Sequence, residues 1–189
     1  MKSMINDIKQ VEKKMQDLEE QREQVLSLSR ELIRDAGKAI VAMHAKDNGK
    51  AKKLLSEMEA IRKKLVDVEE GFEYNSLQAH QEYVEARILE GIIMKKKIRG
   101  MEELEVDEKA YALGLMDVVG ELKREAIDSL MNNNPKAAEM YYAFMSDIYD
   151  STLHLRFANA VLPDFRRKQD SARIQVENTA SEILRTKQK

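Results

Sequence analysis

The sequence predicts an all-α fold: a bundle of about six or seven helices led by a long N-terminal one. Three observations predict it. Of the 189 residues, 43% are hydrophobic and 35% charged, while prolines number two and glycines seven, a mixture that favours amphipathic helices over strands and turns. Apolar residues recur at steps of three and four through most of the chain, and no segment alternates as a strand does. Turn signals are few, and they fall at Asp47-Asn48-Gly49, Gly71, Arg99-Gly100, Asn132-Asn133-Asn134-Pro135 and Pro163.

These breakers define the elements in order. The first helix covers about Lys2 to Lys46. It begins as a heptad seam of Met4, Ile8, Val11, Met15 and Leu18, is interrupted at Arg22, and broadens from Val25 to Val41. A narrow seam suits one partner helix, and a wider stripe suits a bundle core. A straight helix of that length measures ~68 Å, against ~40 Å for the diameter of a compact chain of this size. The helix therefore either bends near Arg22 or carries its seam beyond the protomer to a partner. Further helices are expected over Lys50 to Glu70, Glu73 to Ile98, Asp107 to Met131, Lys136 to Ala160, and from Pro163 to near Arg185. No internal repeat or low-complexity linker divides them, so residues 1–189 are read as one helical domain.

Composition excludes several functions. With no cysteine there is no disulfide framework, thiolate metal site, iron–sulfur cluster or cysteine nucleophile. Thirty-two basic against 34 acidic residues leave no basic excess to announce a nucleic-acid binder, so such binding needs a local patch. No apolar run reaches the ~20 residues of a membrane span, and MKSMINDIKQ has no apolar signal core. A cytoplasmic protein without membrane partners is expected.

Acidic residues in apolar surroundings carry the chemistry. From Ala110 to Leu122 the only charges are Asp117 and Glu121. At i and i+4 they share a face, and burying ionised carboxylates without compensation is costly. Gly114 and Gly120 leave room for a neighbouring helix to approach. Glu82 and Glu85 form a second pair on the preceding helix, and packing of the two helices would turn both pairs into one cleft. Four such oxygen donors suit Mg²⁺ or Mn²⁺, which can activate water and neutralise a phosphate. The competing explanation is salt bridging to Arg87 or Arg124. A di-iron bundle needs Glu-x-x-His pairs; Val41, Leu77 and Ser151 stand three residues before His44, His80 and His154. The histidines are accordingly read as core or surface residues. No serine hydrolase, P-loop or Rossmann motif occurs.

Three segments together resemble the translin family, and within it the TRAX branch. Arg22-Glu23-Gln24-Val25-Leu26-Ser27-Leu28-Ser29-Arg30-Glu31, continuing to Met43-His44, looks like the family's opening helix. Gln81-Glu82-Tyr83-Val84-Glu85-Ala86, with Tyr111 to Arg124, is similar to the TRAX helices that hold acidic ligands. The resemblance implies an all-α subunit of a hollow, usually octameric shell that binds single-stranded RNA or DNA. It also implies a Mg²⁺-dependent endoribonuclease whose catalytic and metal ligands are Glu82, Glu85, Asp117 and Glu121. Translin itself lacks the equivalent of Asp117. One chain of this kind would form a homo-oligomer.

Departures redirect the search for RNA contacts. The long TRAX insert between the two acidic helices is absent, and so is translin's basic stretch, since Glu73 to Glu90 is more acidic than basic. Arg30, Arg34 and Lys38 form an i, i+4, i+8 stripe and are the expected RNA-binding residues. Lys95, Lys96, Lys97 and Arg99 form a second cluster, and Arg166, Arg167, Lys168 and Arg173 a third. Tyr83 and Phe72 are candidates to stack on bases, Phe72 more naturally as a core residue. Rival functions are a shell that binds nucleic acid without cutting, a helical adaptor, and an all-α nucleoside-triphosphate pyrophosphatase. The last favours Glu-x-x-Glu followed by Glu-x-x-Asp, an order and spacing that Asp117 and Glu121 do not reproduce.

Overall fold

The computed structural model describes residues 2–187, and among them every regular element is helical. The order is α1 (Lys2–His44), α2 (Asn48–Val66), α3 (Glu73–Ile93), α4 (Met101–Leu104), α5 (Glu108–Met131), α6 (Pro135–Thr152) and α7 (Phe165–Lys187). Among the described residues no helix is long and apolar enough to cross a membrane. The predicted turn residues act as caps. Asp47 accepts from the Lys50 amide, Asp107 from Ala110, and Asn134 from Ala137 with Pro135 opening the helix, each satisfying an amide that an isolated helix start leaves unpaired.

α1 runs through Arg22 without a break. Every described side chain from Met4 to Glu20 is exposed, the heptad residues included, with Ile8 at 62% and Leu18 at 44%. The body begins at Gln21, whose amide donates to the carbonyls of Val68 and Glu70 at 2.8 and 3.0 Å. Val25 is the first fully buried residue. The seam therefore reaches beyond the protomer, and the bend is not used.

One contiguous apolar core runs from Val25 to Val176. α1 packs on α2 and α3, α3 on α5, and α5 on α6 and α7. α3 thus has a neighbour on both sides, and every residue from Tyr83 to Ile92 is buried. Two of its charged members, Arg87 and Glu90, are paired internally. Arg87 donates to Glu59 at 2.6 Å and Glu90 at 3.1 Å, while Lys96 and Arg99 also reach Glu90.

Three ends fall short of the expected helices, the first being α2, which stops at Val66, not Glu70. α3 stops at Ile93, not Ile98, because the chain reverses at Lys95 (φ 52°) and returns across the bare backbone of Gly91. There a Cβ would lie 2.9 Å from Ile98 Cα. α6 stops at Thr152, not Ala160, where the Thr152 carbonyl accepts from the Leu155 amide at 3.0 Å in a tight turn and from Gln169 of α7 at 2.7 Å. A local turn amide and a side chain remote in sequence thus take the place of the next helical amide.

Candidate acidic site between α3, α5 and α7

The site exists because α3 and α5 approach closely. A Cβ on Gly114 would stand 2.8 Å from the Gln81 carbonyl oxygen and from two carbons of Val84, so only glycine allows this spacing. Gly120 differs from expectation. It faces only the Gln175 side chain at 3.4 and 3.8 Å, so no helix backbone crosses it.

Three turns are brought to one cleft. α3 supplies Glu82 and Glu85, α5 supplies Asp117 and Glu121, and α7 supplies Arg167 and Lys168. Asp117 accepts from the Gln81 amide through one oxygen and pairs with Lys168 Nζ through the other. Glu121 accepts from His44 Nε2 at 2.5 Å, and Glu125 from His44 Nδ1 at 2.6 Å. His44 is a buried clasp between the end of α1 and two successive turns of α5. Burial alone would lower its pKa, but hydrogen bonds and charge from Glu121 and Glu125 outweigh it and raise the value to about 9. The same hydrogen bond holds the Glu121 carboxyl below its ordinary range.

Glu85 is in the opposite position. Burial, then the charges of Asp117, Glu82 and Glu121, push its pKa up to about 9 against the opposing Lys168. Glu82 is raised too, by burial and by Asp117. Four carboxylates thus line the cleft, and two of them, Glu82 and Glu85, have no cationic partner there, a donor set chemically suited to a hard divalent cation. As they stand, no three acids or histidines among the described residues converge as a metal cage. Asp117 is committed to Gln81 and Lys168, and Glu121 to His44. Arg124 also approaches Glu121, at 3.7 Å, whereas the other expected salt-bridge partner, Arg87, serves Glu59 and Glu90 instead.

The cations are sorted by the fold. Arg30, Arg34 and Lys38 lie exposed on α1, away from the residues lining the cleft, and Arg34 and Lys38 turn onto Asp35 at 3.5 and 3.2 Å. The second cluster is largely spent on Glu90 and Glu103. From the third, Arg167 and Lys168 reach the site while Arg173 pairs with Glu177. Tyr83 cannot stack on a base. It is 1% exposed, lies between the guanidinium groups of Arg62 and Arg87 at 5.1 and 5.3 Å, and donates to Glu59. Phe72 packs against the core as expected. His44, Gln81 and the inward role of Lys168 were not read from sequence. The available signal for His44 was Glu125, which repeats the i, i+4 step from Glu121 and extends the acidic face by one turn.

Residues 1–179 match the translin family. The chain belongs to the translin family. Within it, an uncharacterized protein of Methanocaldococcus jannaschii is 36% identical over 167 residues, covering 86% of this chain and 75% of the relative. Among solved structures, AfC3PO in complex with duplex RNA superimposes with a TM-score of 0.89 at 28% identity, covering 96% of each chain. The apo form of NeC3PO gives 0.86 at 25% identity, covering 95% of this chain and 96% of that one. The translin fold of this chain is thereby shown over nearly its whole length.

Proposed function

We propose that this translin-family chain is a TRAX-like, Mg²⁺- or Mn²⁺-dependent endoribonuclease. It binds single-stranded RNA, with single-stranded DNA as an alternative ligand, and acts within a homo-octameric shell. The observation that carries this proposal is the cleft itself: four carboxylates on two helices, Glu82 and Glu85 among them without a cationic partner, beside two cations suited to phosphate. That AfC3PO was solved with duplex RNA supports RNA as the class of ligand.

Glu82, Glu85, Asp117 and Glu121 would hold the cation. When bound, such an ion lowers the pKa of a water and offsets charge on a phosphate. The chain's own groups do the rest. Gln81 fixes the Asp117 carboxylate, and His44 keeps Glu121 ionised and oriented. Lys168 and the exposed Arg167 set positive charge at the cleft for the strand's phosphates. Arg30, Arg34 and Lys38 offer further phosphate contacts on the exposed face of α1.

The test is a cleavage assay on a strand first shown to bind, single-stranded and duplex RNA in separate arms, with and without Mg²⁺. Asp117→Asn is expected to cut cleavage by at least ~100-fold, the loss of several kcal/mol of charge stabilisation, while helicity and assembly persist. Cleavage that survives this change or excess EDTA overturns the proposal, and binding without any cleavage establishes a non-catalytic shell. Assembly is checked separately. Placing glutamate at both Val11 and Met15, 52% and 54% exposed in the unpartnered seam, is expected to lower the particle mass in light scattering. An unchanged mass would remove the seam from the interface.

A further inference from the structure

The acidic cleft continues into a second pocket, and the wall they share is organised. Gln78, Gln81, Arg167 and Lys168 line both. Beyond them the second pocket is completed by Tyr74, Leu77 and Pro163, among others. Tyr74, Gln78, Gln81 and Glu85 follow one another at steps of four, three and four, so they lie along one face of α3. From Tyr74 to Glu85 that stripe spans about 16 Å of helix axis. The facing wall is the start of α7, where Arg167 is exposed beside Asp164 at 3.7 Å and Lys168 points to Asp117.

Tyr74 is the anomaly in this groove. It is 85% exposed, although it stands at the start of a helix that is otherwise the most buried in the chain. An aromatic ring left in water at the end of a polar, cation-flanked channel has the features of a stacking platform for an unpaired base. Accepted on the proposed nuclease reading, on which this inference rests, the groove gives the strand a direction.

We propose that Tyr74, with Gln78, Arg167 and Lys168, forms a base-stacking subsite for single-stranded nucleic acid next to the acidic cleft. One base lies on the Tyr74 ring, the adjoining phosphates run past Arg167 and Lys168, and the following phosphodiester reaches Glu82 and Glu85. The glutamine amides between them, which both donate and accept, meet bases without selecting strongly among them. The subsite prefers an unpaired strand because a base held in a duplex does not offer its face.

The experiment uses the full chain in EDTA, so that binding is read without cleavage. The probe is a fluorescein-labelled oligouridine carrying one 2-aminopurine at successive positions. Tyr74→Ala is expected to raise Kd about tenfold, within the range for loss of one stacked base. Tyr74→Phe should stay within about twofold, and the position-specific quenching of 2-aminopurine should disappear in the alanine variant alone. Equal Kd for wild type and Tyr74→Ala overturns the subsite while leaving the nuclease proposal intact. So does a phenylalanine variant as weak as alanine, or a changed particle mass in Tyr74→Ala, which would make the ring a subunit contact. If the wild-type chain binds no strand at all, both proposals fall together.

Discussion

Glu85→Gln is expected to preserve the fold, flatten part of the pH dependence of stability, and reduce divalent-dependent cleavage by at least ~100-fold. The three effects share one cause. Glu85 is 7% exposed and has a pKa near 9 in the folded chain, so at neutral pH and without a cation it is held protonated. A glutamine reproduces that neutral, hydrogen-bonding shape, which is why helix packing should survive. A group whose folded pKa is raised binds its proton more tightly when native, so stability falls as pH rises between the unfolded and folded values. For Glu85 that window runs from about 4.5 to about 9, at no more than ~1.4 kcal/mol per pH unit. His44 acts with the same sign over a narrower window. Its contribution is complete below about 6.5 and lost as pH passes through about 9.

In the wild-type chain without divalent ions, the melting temperature should therefore decline from pH 5 to pH 9. In Glu85→Gln the decline between pH 5 and 6.5 should be shallower, with Glu82 still contributing to it, and His44 adds to it above that. On the proposed cation site, adding Mg²⁺ should counter the wild-type trend, because a cation favours ionised Glu85 and a ligand that binds only the native state stabilises it by about 2.7 kcal/mol at a hundred times Kd. Mn²⁺ affinity should accordingly climb with pH in titration calorimetry. Thermal scans at several pH values, with and without Mg²⁺, check each part. A variant that still gains stability from Mg²⁺ and still cuts RNA would remove Glu85 from the site.

Much of the fold was legible in sequence because helices announce themselves locally. Asp47, Asp107 and Asn134 cap helices at the expected starts, and the length of α1 was legible, although its periodicity left open whether it bends at Arg22. What could not be read depends on contacts between distant segments. Leu153 to Ala160 looks helical, yet α6 ends at Thr152, whose carbonyl accepts from Gln169 of α7. Lys96 and Arg99 look like a basic patch, yet both turn onto the buried Glu90. The acid pairs were visible because carboxylates stand out in the apolar run of α5. Their partners were not, since His44 and Lys168 lie more than forty residues from the acids they touch and neither has a local pattern to mark it. Tyr83 and Tyr74 illustrate the same limit on one helix. Nine residues apart, one is sealed between two arginines and the other stands in solvent.

The two glycines of α5 give the sharpest contrast between propensity and packing. By intrinsic preference, replacing glycine with alanine inside a helix stabilises it by roughly 0.8–1.0 kcal/mol, and both Gly114 and Gly120 are helical. At Gly120 the added methyl meets only the end of the flexible Gln175 side chain, so Gly120→Ala should realise most of that gain. At Gly114 the methyl would press on a backbone carbonyl and on a β-branched side chain at 2.8 Å. Neither can turn aside without moving α3, and overpacking of this kind costs roughly 1–3 kcal/mol. Gly114→Ala is therefore expected to lower the melting temperature by several degrees, at about 2–4 °C per kcal/mol for a chain of this size, while Gly120→Ala raises it slightly. The displaced residues are Gln81, which orients Asp117, and Val84, which adjoins Glu85. Cation affinity should therefore fall in Gly114→Ala even below its melting transition, and stay unchanged in Gly120→Ala. Equal melting temperatures for the two variants would show that α3 and α5 have slack at this crossing, and the acidic cleft would lose the constraint that holds its two walls together.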